Sequence, residues 1–173
     1  MPDTKNWTWV LEKPCEECGF DASAVTAEAI GPRLRQAAVD LVAALEVPEA
    51  AIRPDPEVWS PLEYACHVRD TCRIFLGRLR RMLAEDDPVF ENWDQDQTAL
   101  DERYGEQDPR AVAVALVAAV RDLAAAYSGV SADQWDRTGL RSDGSRFTVL
   151  SLGQYLVHDP VHHVYDVTGV RQS

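Results

Sequence analysis

Three of the four histidines in the chain crowd into one segment, Tyr155-Leu-Val-His-Asp-Pro-Val-His-His-Val-Tyr-Asp166. Imidazole is the commonest metal-ligating side chain and changes charge near neutral pH. His158 and His162 stand four residues apart, a spacing that points two side chains the same way from a helix. The fourth histidine, His67, lies far upstream in another helical pattern. Two imidazoles from one helix and one from a second make an open three-histidine site, which leaves a coordination position for water or substrate. A competing ligand set would use His163, which points to a different helix face and is expected to pack or hydrogen-bond. Ligand histidines usually donate their other N–H to a carboxylate or carbonyl. Asp70, Asp94, Asp159 and Asp166 are the candidates for that role, and spacing alone does not choose among them.

Pro160 falls between His158 and His162 and threatens this geometry, because proline removes a helical hydrogen bond and clashes with the preceding turn. Either the helix kinks there, or Asp159 caps a new helix and the shared face is lost. A second motif, Cys15-x-x-Cys18 followed by Gly19, has knuckle spacing, yet no second knuckle exists to complete a structural zinc site. Cys66 or Cys72 would complete it only if the N-terminal arm folded back onto the second helix. The alternatives are a zinc knuckle, a redox pair or an inert packed turn. Cys66 adjoins His67, but neighbouring helical residues point apart, which argues against a nucleophilic dyad. Neither a Gly-rich phosphate loop nor a His-Glu-x-x-His pattern is present.

The elements that must position these groups read as all-α. Residues 1–22 form an irregular arm with Trp7 and Trp9 packed on the body, and residues 23–173 form the helical domain. The first helix is expected over about Ser23–Leu45, with a kink or restart at Gly31-Pro32. The second starts at Ser60-Pro61-Leu-Glu63, a capping box with proline in the first turn, and ends before Asp86. The third starts at Asp108-Pro109 and ends near Tyr127, and the fourth begins near Thr148. The long connection from Pro88 to Asp108 carries Trp93, and its Phe90–Asp96 stretch is expected to form a lid or pocket wall. Ser131–Trp135 reads as a capped turn whose tryptophan docks on the bundle, and Thr138–Arg146 as a loop or small hairpin.

At 173 residues the chain is long enough for one domain with a real core, and its formal charge is −12. With a pI near 4.6 it lacks the basic face that nucleic acid or an anionic membrane surface would require. No apolar run is expected to span a bilayer, and the N-terminus has no secretory layout, so a cytoplasmic protein is expected. Four cysteines fit a reducing compartment.

Taken in order, Trp59-Ser-Pro-Leu-Glu-Tyr-Ala-Cys-His67-Val-Arg-Asp70 followed by His158-x-x-x-His162 resembles the DinB-like (YfiT-like) metalloprotein superfamily. The resemblance spans about Ser23 to Gly169. It implies a four-helix bundle with an up-down-down-up course and a metal held by His67, His158 and His162. Pro160 and the Cys15-x-x-Cys18 arm depart from the core pattern. Relatives include thiol-dependent transferases and maleylpyruvate isomerases. The resemblance therefore implies a divalent metal, zinc or nickel first, and a low-molecular-weight thiol as co-substrate. Two functions follow from it. One is a metal-dependent enzyme acting on a small molecule, by thiol S-transfer or by hydrolysis through metal-bound water. The other is a non-catalytic stress-related or binding module of the same fold. A third reading is a structural dimer in which the histidines only order the core, although no heptad seam demands a homodimer.

Overall fold

The computed structural model describes residues 7–171. The outermost residues of the arm and of the C-terminus, 1–6 and 172–173, lie outside this range. Helix α2 (Pro61–Ala84) begins as its sequence dictates: the Ser60 hydroxyl accepts from the Glu63 N–H, and the Glu63 carboxylate accepts from the Ser60 N–H. Arg53 then closes over Glu63, with guanidinium nitrogens 2.6 and 2.9 Å from its two oxygens. Glu63 is thereby buried with all its partners supplied.

Helix α1 occupies Ile30–Ala44 and so starts later than the expected Ser23. Residues 22–24 and 27–29 form single 3-10 turns instead. Pro32 explains the boundary, since in the first turn its missing N–H has no helical partner to lose. In the long connection, strand β1 (Val89–Phe90) and the short helix α3 (Gln95–Asp101) precede α4 (Pro109–Ser128). Strands β2 (Thr138–Arg141) and β3 (Arg146–Thr148) then lead into α5 (Val149–Thr168).

The four long helices build one core, α1 and α2 each packing against both α4 and α5. Leu34, Leu41, Leu62, Leu79, Leu116, Leu123, Leu152 and Leu156 fill it, all essentially inaccessible. The all-α expectation needs one addition, a three-stranded sheet in the order β1-β2-β3. The expected hairpin is the antiparallel β2–β3 pair, turning at Gly144 with φ +91°. To it β1 adds in parallel, Val89 opposite Leu140. Trp135 docks as expected, its ring stacked on buried Tyr127 at 6.2 Å.

A second correction concerns α4, which by length and composition alone is apolar enough to cross a membrane. The expectation that no run reaches that length fails because apolar residues, Val114 and Val117 among them, also stand on its exposed face. Its Val112, Leu116, Val120 and Leu123 stripe is buried in the bundle.

Candidate functional site

Position on α5 decides the chemistry. The helix runs through Pro160 without a break, so residues four apart keep a common face. Successive residues turn by about 100°, so the pair His158/His162 and the pair Asp159/His163 occupy adjoining faces. The Asp159 face turns toward α2, where His67 lies one helical turn before Thr71.

There the His67 Nε2 is 3.1 Å from Asp159 Oδ1 and 3.3 Å from the Thr71 hydroxyl. His163 approaches the same carboxylate, Nε2 to Oδ1 at 3.6 Å, while its Nδ1 lies 2.9 Å from Asp166 Oδ2. Donor atoms of His67, Asp159 and His163 all fall within 4.8 Å of one another. Two imidazoles and one carboxylate are a metal-binding set of the catalytic kind, with fewer protein ligands than a closed site has. The second carboxylate oxygen, Asp159 Oδ2, is buried without a hydrogen-bond partner, as is Nδ1 of His67. An unpaired buried carboxylate oxygen is costly, and a bound cation would satisfy it. The residues therefore fit a divalent metal.

His67 is closed off, but the Asp159 and His163 side chains keep 29% and 18% of their exposure, which gives the centre an open side. Aromatic rings frame it. Trp93 stacks on His67 with planes 4° apart, held by its indole N–H donating to Thr98 at 2.7 Å. The Phe90–Asp96 stretch thus supplies a pocket wall. Trp59 packs on His67, and Tyr64 packs on His163 at 4.8 Å. Burial would raise the Asp159 carboxyl, yet His67 and His163 outweigh it and hold the group well below the usual carboxylate range. Burial likewise disfavours a charged His163, but Asp159 and Asp166 push its pKa up to about 9. Burial drives the Tyr64 phenol up to about 12, so it stays neutral at physiological pH.

The adjoining face of α5 meets the N-terminal arm. Cys15, Cys18, His158 and His162 converge there, their donor atoms also within 4.8 Å of one another. Cys15 Sγ is 3.7 Å from His162 Nδ1, and both cysteines are free thiols. Burial pushes the Cys18 thiol up to about 12, and the neighbouring Cys15 thiol adds to the shift. Burial and the neighbouring His162 lower His158 to about 4, and burial lowers His162 as well.

The expected ligand set is therefore divided. His67 joins Asp159 and His163, whereas His158 and His162 join Cys15 and Cys18. The i, i+4 rule holds equally for Asp159-x-x-x-His163, and only helix rotation tells which pair faces α2. His163, expected to pack or hydrogen-bond, does bond to Asp166 and also enters the α2-facing group. Among the expected outer carboxylates, Asp166 bonds His163 and Asp159 enters the donor group itself. Asp70 instead binds Arg69, Arg73 and Tyr104, and Asp94 caps α3. Neither Cys66 nor Cys72 approaches the knuckle cysteines. The Cys66 thiol faces Gln107 at 3.5 Å, and Cys72 is fully buried.

The sequence profile of the DinB superfamily matches residues 33–167. A search of curated protein sequences gives no match. Among solved structures, the chain is similar to YfiT from Bacillus subtilis, with 19% identity and a TM-score of 0.75 over 91% of this chain and 90% of that one. That protein is described as a probable metal-dependent hydrolase with an unusual four-helix bundle topology. A second similar structure is the mycothiol-dependent maleylpyruvate isomerase, with 15% identity and a TM-score of 0.67 over 87% of this chain and 64% of that one. Both likenesses concern the fold.

Proposed function

Since the chain belongs to the DinB superfamily, we propose that it is a metal-dependent enzyme whose centre is His67, Asp159 and His163. The reading rests on one observation: three ligand-type side chains from α2 and α5 converge, and two of them stay partly exposed beneath an aromatic rim. A divalent metal there, zinc or nickel, would act as a Lewis acid that lowers the pKa of a coordinated thiol or water near neutral pH. The substrate is a small molecule, and a low-molecular-weight thiol is the proposed co-substrate. Thiol S-transfer and hydrolysis are the two reactions this arrangement can serve.

The protein's own groups have distinct tasks. Asp159 supplies a full negative charge between the two imidazoles and orients both. Asp166 accepts from His163 Nδ1 and thereby directs Nε2 into the centre. Trp93 and Trp59 shield His67 from water. Tyr64, held neutral, can offer its phenol hydroxyl as a hydrogen-bond donor or acceptor to a substrate at the open side. The proposed course of the bundle is up-down-down-up. It is supported by the long α2–α4 connection, which is what parallel neighbouring helices need.

The test compares metal uptake and turnover in untagged wild type, His163→Ala and His162→Ala. Loss of exchangeable metal and of thiol-transfer or ester-hydrolysis activity in His163→Ala supports the assignment. A His163→Ala protein that keeps both would refute it.

A further inference from the structure

We propose that Cys15, Cys18, His158 and His162 form a closed structural zinc site that clamps the N-terminal arm onto α5. The site is separate from the centre facing α2 and does not depend on that reading. Two thiols and two imidazoles are a complete tetrahedral zinc set, and Cys-x2-Cys followed by His-x3-His is a common spacing for one. The missing second knuckle is thus the histidine pair of α5. All four side chains are buried, with residue exposures of 2%, 0%, 4% and 8% in chain order, so no open position faces solvent. Closure of this kind marks structural rather than catalytic zinc.

Several details point the donors inward. His158 Nε2 is buried with no hydrogen-bond partner. The other histidine turns Nδ1 toward Cys15, leaving its Nε2 at 3.5 Å from Glu17 and 3.7 Å from Asp166. Such outer carboxylates fix the tautomer and orientation of a zinc-bound imidazole. The knuckle itself is preformed: the Gly19 N–H donates to Cys15 O at 2.9 Å, and the Cys15 N–H donates to Phe20 O at 2.8 Å. Gly19 takes φ +80°, a conformation that favours glycine. Phe20 packs on the His158 ring, and Trp7 packs on both rings, so the cluster is sheltered by the arm it would hold.

The rival readings fit less well. A redox pair needs an accessible thiolate, and neither sulfur is accessible. An inert packed turn leaves a buried imidazole nitrogen unsatisfied.

The decisive measurement is zinc X-ray absorption on protein prepared anaerobically without a histidine tag, using an Asp159→Ala/His163→Ala variant to disable the other centre. One zinc per chain is expected, with two sulfurs at about 2.3 Å and two nitrogens at about 2.0 Å. The Cys18→Ser variant should lose that zinc, melt at a lower temperature and be cleaved by protease within the arm. Should the double variant fail to fold, zinc-loaded wild type washed with a mild chelator takes its place. A sulfur-free shell, or folded protein with no retained zinc, would overturn the proposal. The His67→Ala variant separates the two centres: retention of the sulfur-ligated zinc there means that any loss of activity belongs to the α2-facing site alone.

Discussion

Asp166 touches both candidate centres. Its Oδ2 lies 2.9 Å from His163 Nδ1, and its Oδ1 lies 3.7 Å from His162 Nε2. A carboxylate in that position raises ligand basicity and fixes which ring nitrogen is free to bind. Replacing it with alanine should leave the fold intact and weaken metal binding at the His163 centre by about 10–100-fold. The closed cluster should respond less, because Glu17 also faces His162. Chelator competition on Asp166→Ala measures both effects, and unchanged affinity at the His163 centre would remove Asp166 from the scheme. Asp159 differs in kind. It lies between two histidines with one oxygen unpartnered, so it reads as a ligand rather than a support.

At the scale of elements, α5 carries the functional load, and its neighbours set its position closely. Gly153 faces α1 and α4, where an added Cβ would lie 2.5 Å from Ile30 Cδ1 and 3.0 Å from Tyr127 Cε1. Alanine would gain about 1 kcal/mol of helix propensity but would overpack the crossing at a cost of about 1–3 kcal/mol. Ile30 and Tyr127 are both fully buried and have little room to yield. Gly153→Ala should therefore be destabilised by about 1 kcal/mol net, read as a lower urea midpoint with unchanged slope. A higher midpoint would mean that the crossing is looser than it looks. Pro160 has the opposite character. It removes one backbone donor yet leaves α5 continuous, because the helix is held on either side by the arm, α1 and α2.

For the whole molecule, the charge of −12 makes the carboxylates that do find partners important to acid stability. Asp70 ties α2 to the turn before α4. It accepts from Arg69 and Arg73 on its own helix and from the Tyr104 hydroxyl at 2.7 Å. Burial alone would raise its carboxyl, but the bonds from Arg69 and Tyr104 outweigh that and hold it below its ordinary value. A depressed folded-state pKa stabilises fully above the unfolded value, about 3.9, and the benefit is lost as pH falls through the folded value. The stability gap between wild type and Asp70→Asn should thus be constant from neutral pH down to about 5 and narrow below about 4. Denaturant melts across that range measure it, and a gap independent of pH would show that Asp70 acts by packing alone.

The sequence by itself determined the starts of α2, α4 and α5, because capping is local chemistry: Ser60 with Glu63, Asp108 with Pro109 and Thr148 each begin a helix where their residue types require, whereas α1, which has no side-chain cap, starts seven residues later than expected. It also determined that α2 and α5 carry the histidines and that an aromatic segment would wall the site. It left undecided which face of α5 meets which partner. His158/His162 and Asp159/His163 share one spacing, and the faces are separated only by a rotation of about 100°. That rotation is set by long-range packing, with Gly153 against Ile30 and Tyr127 and the arm folded back over α5. The pairing of Cys15 and Cys18 with residues more than a hundred positions away was likewise out of reach of local pattern. Tertiary structure turned one expected three-histidine site into two groups of donors, one partly open and one closed.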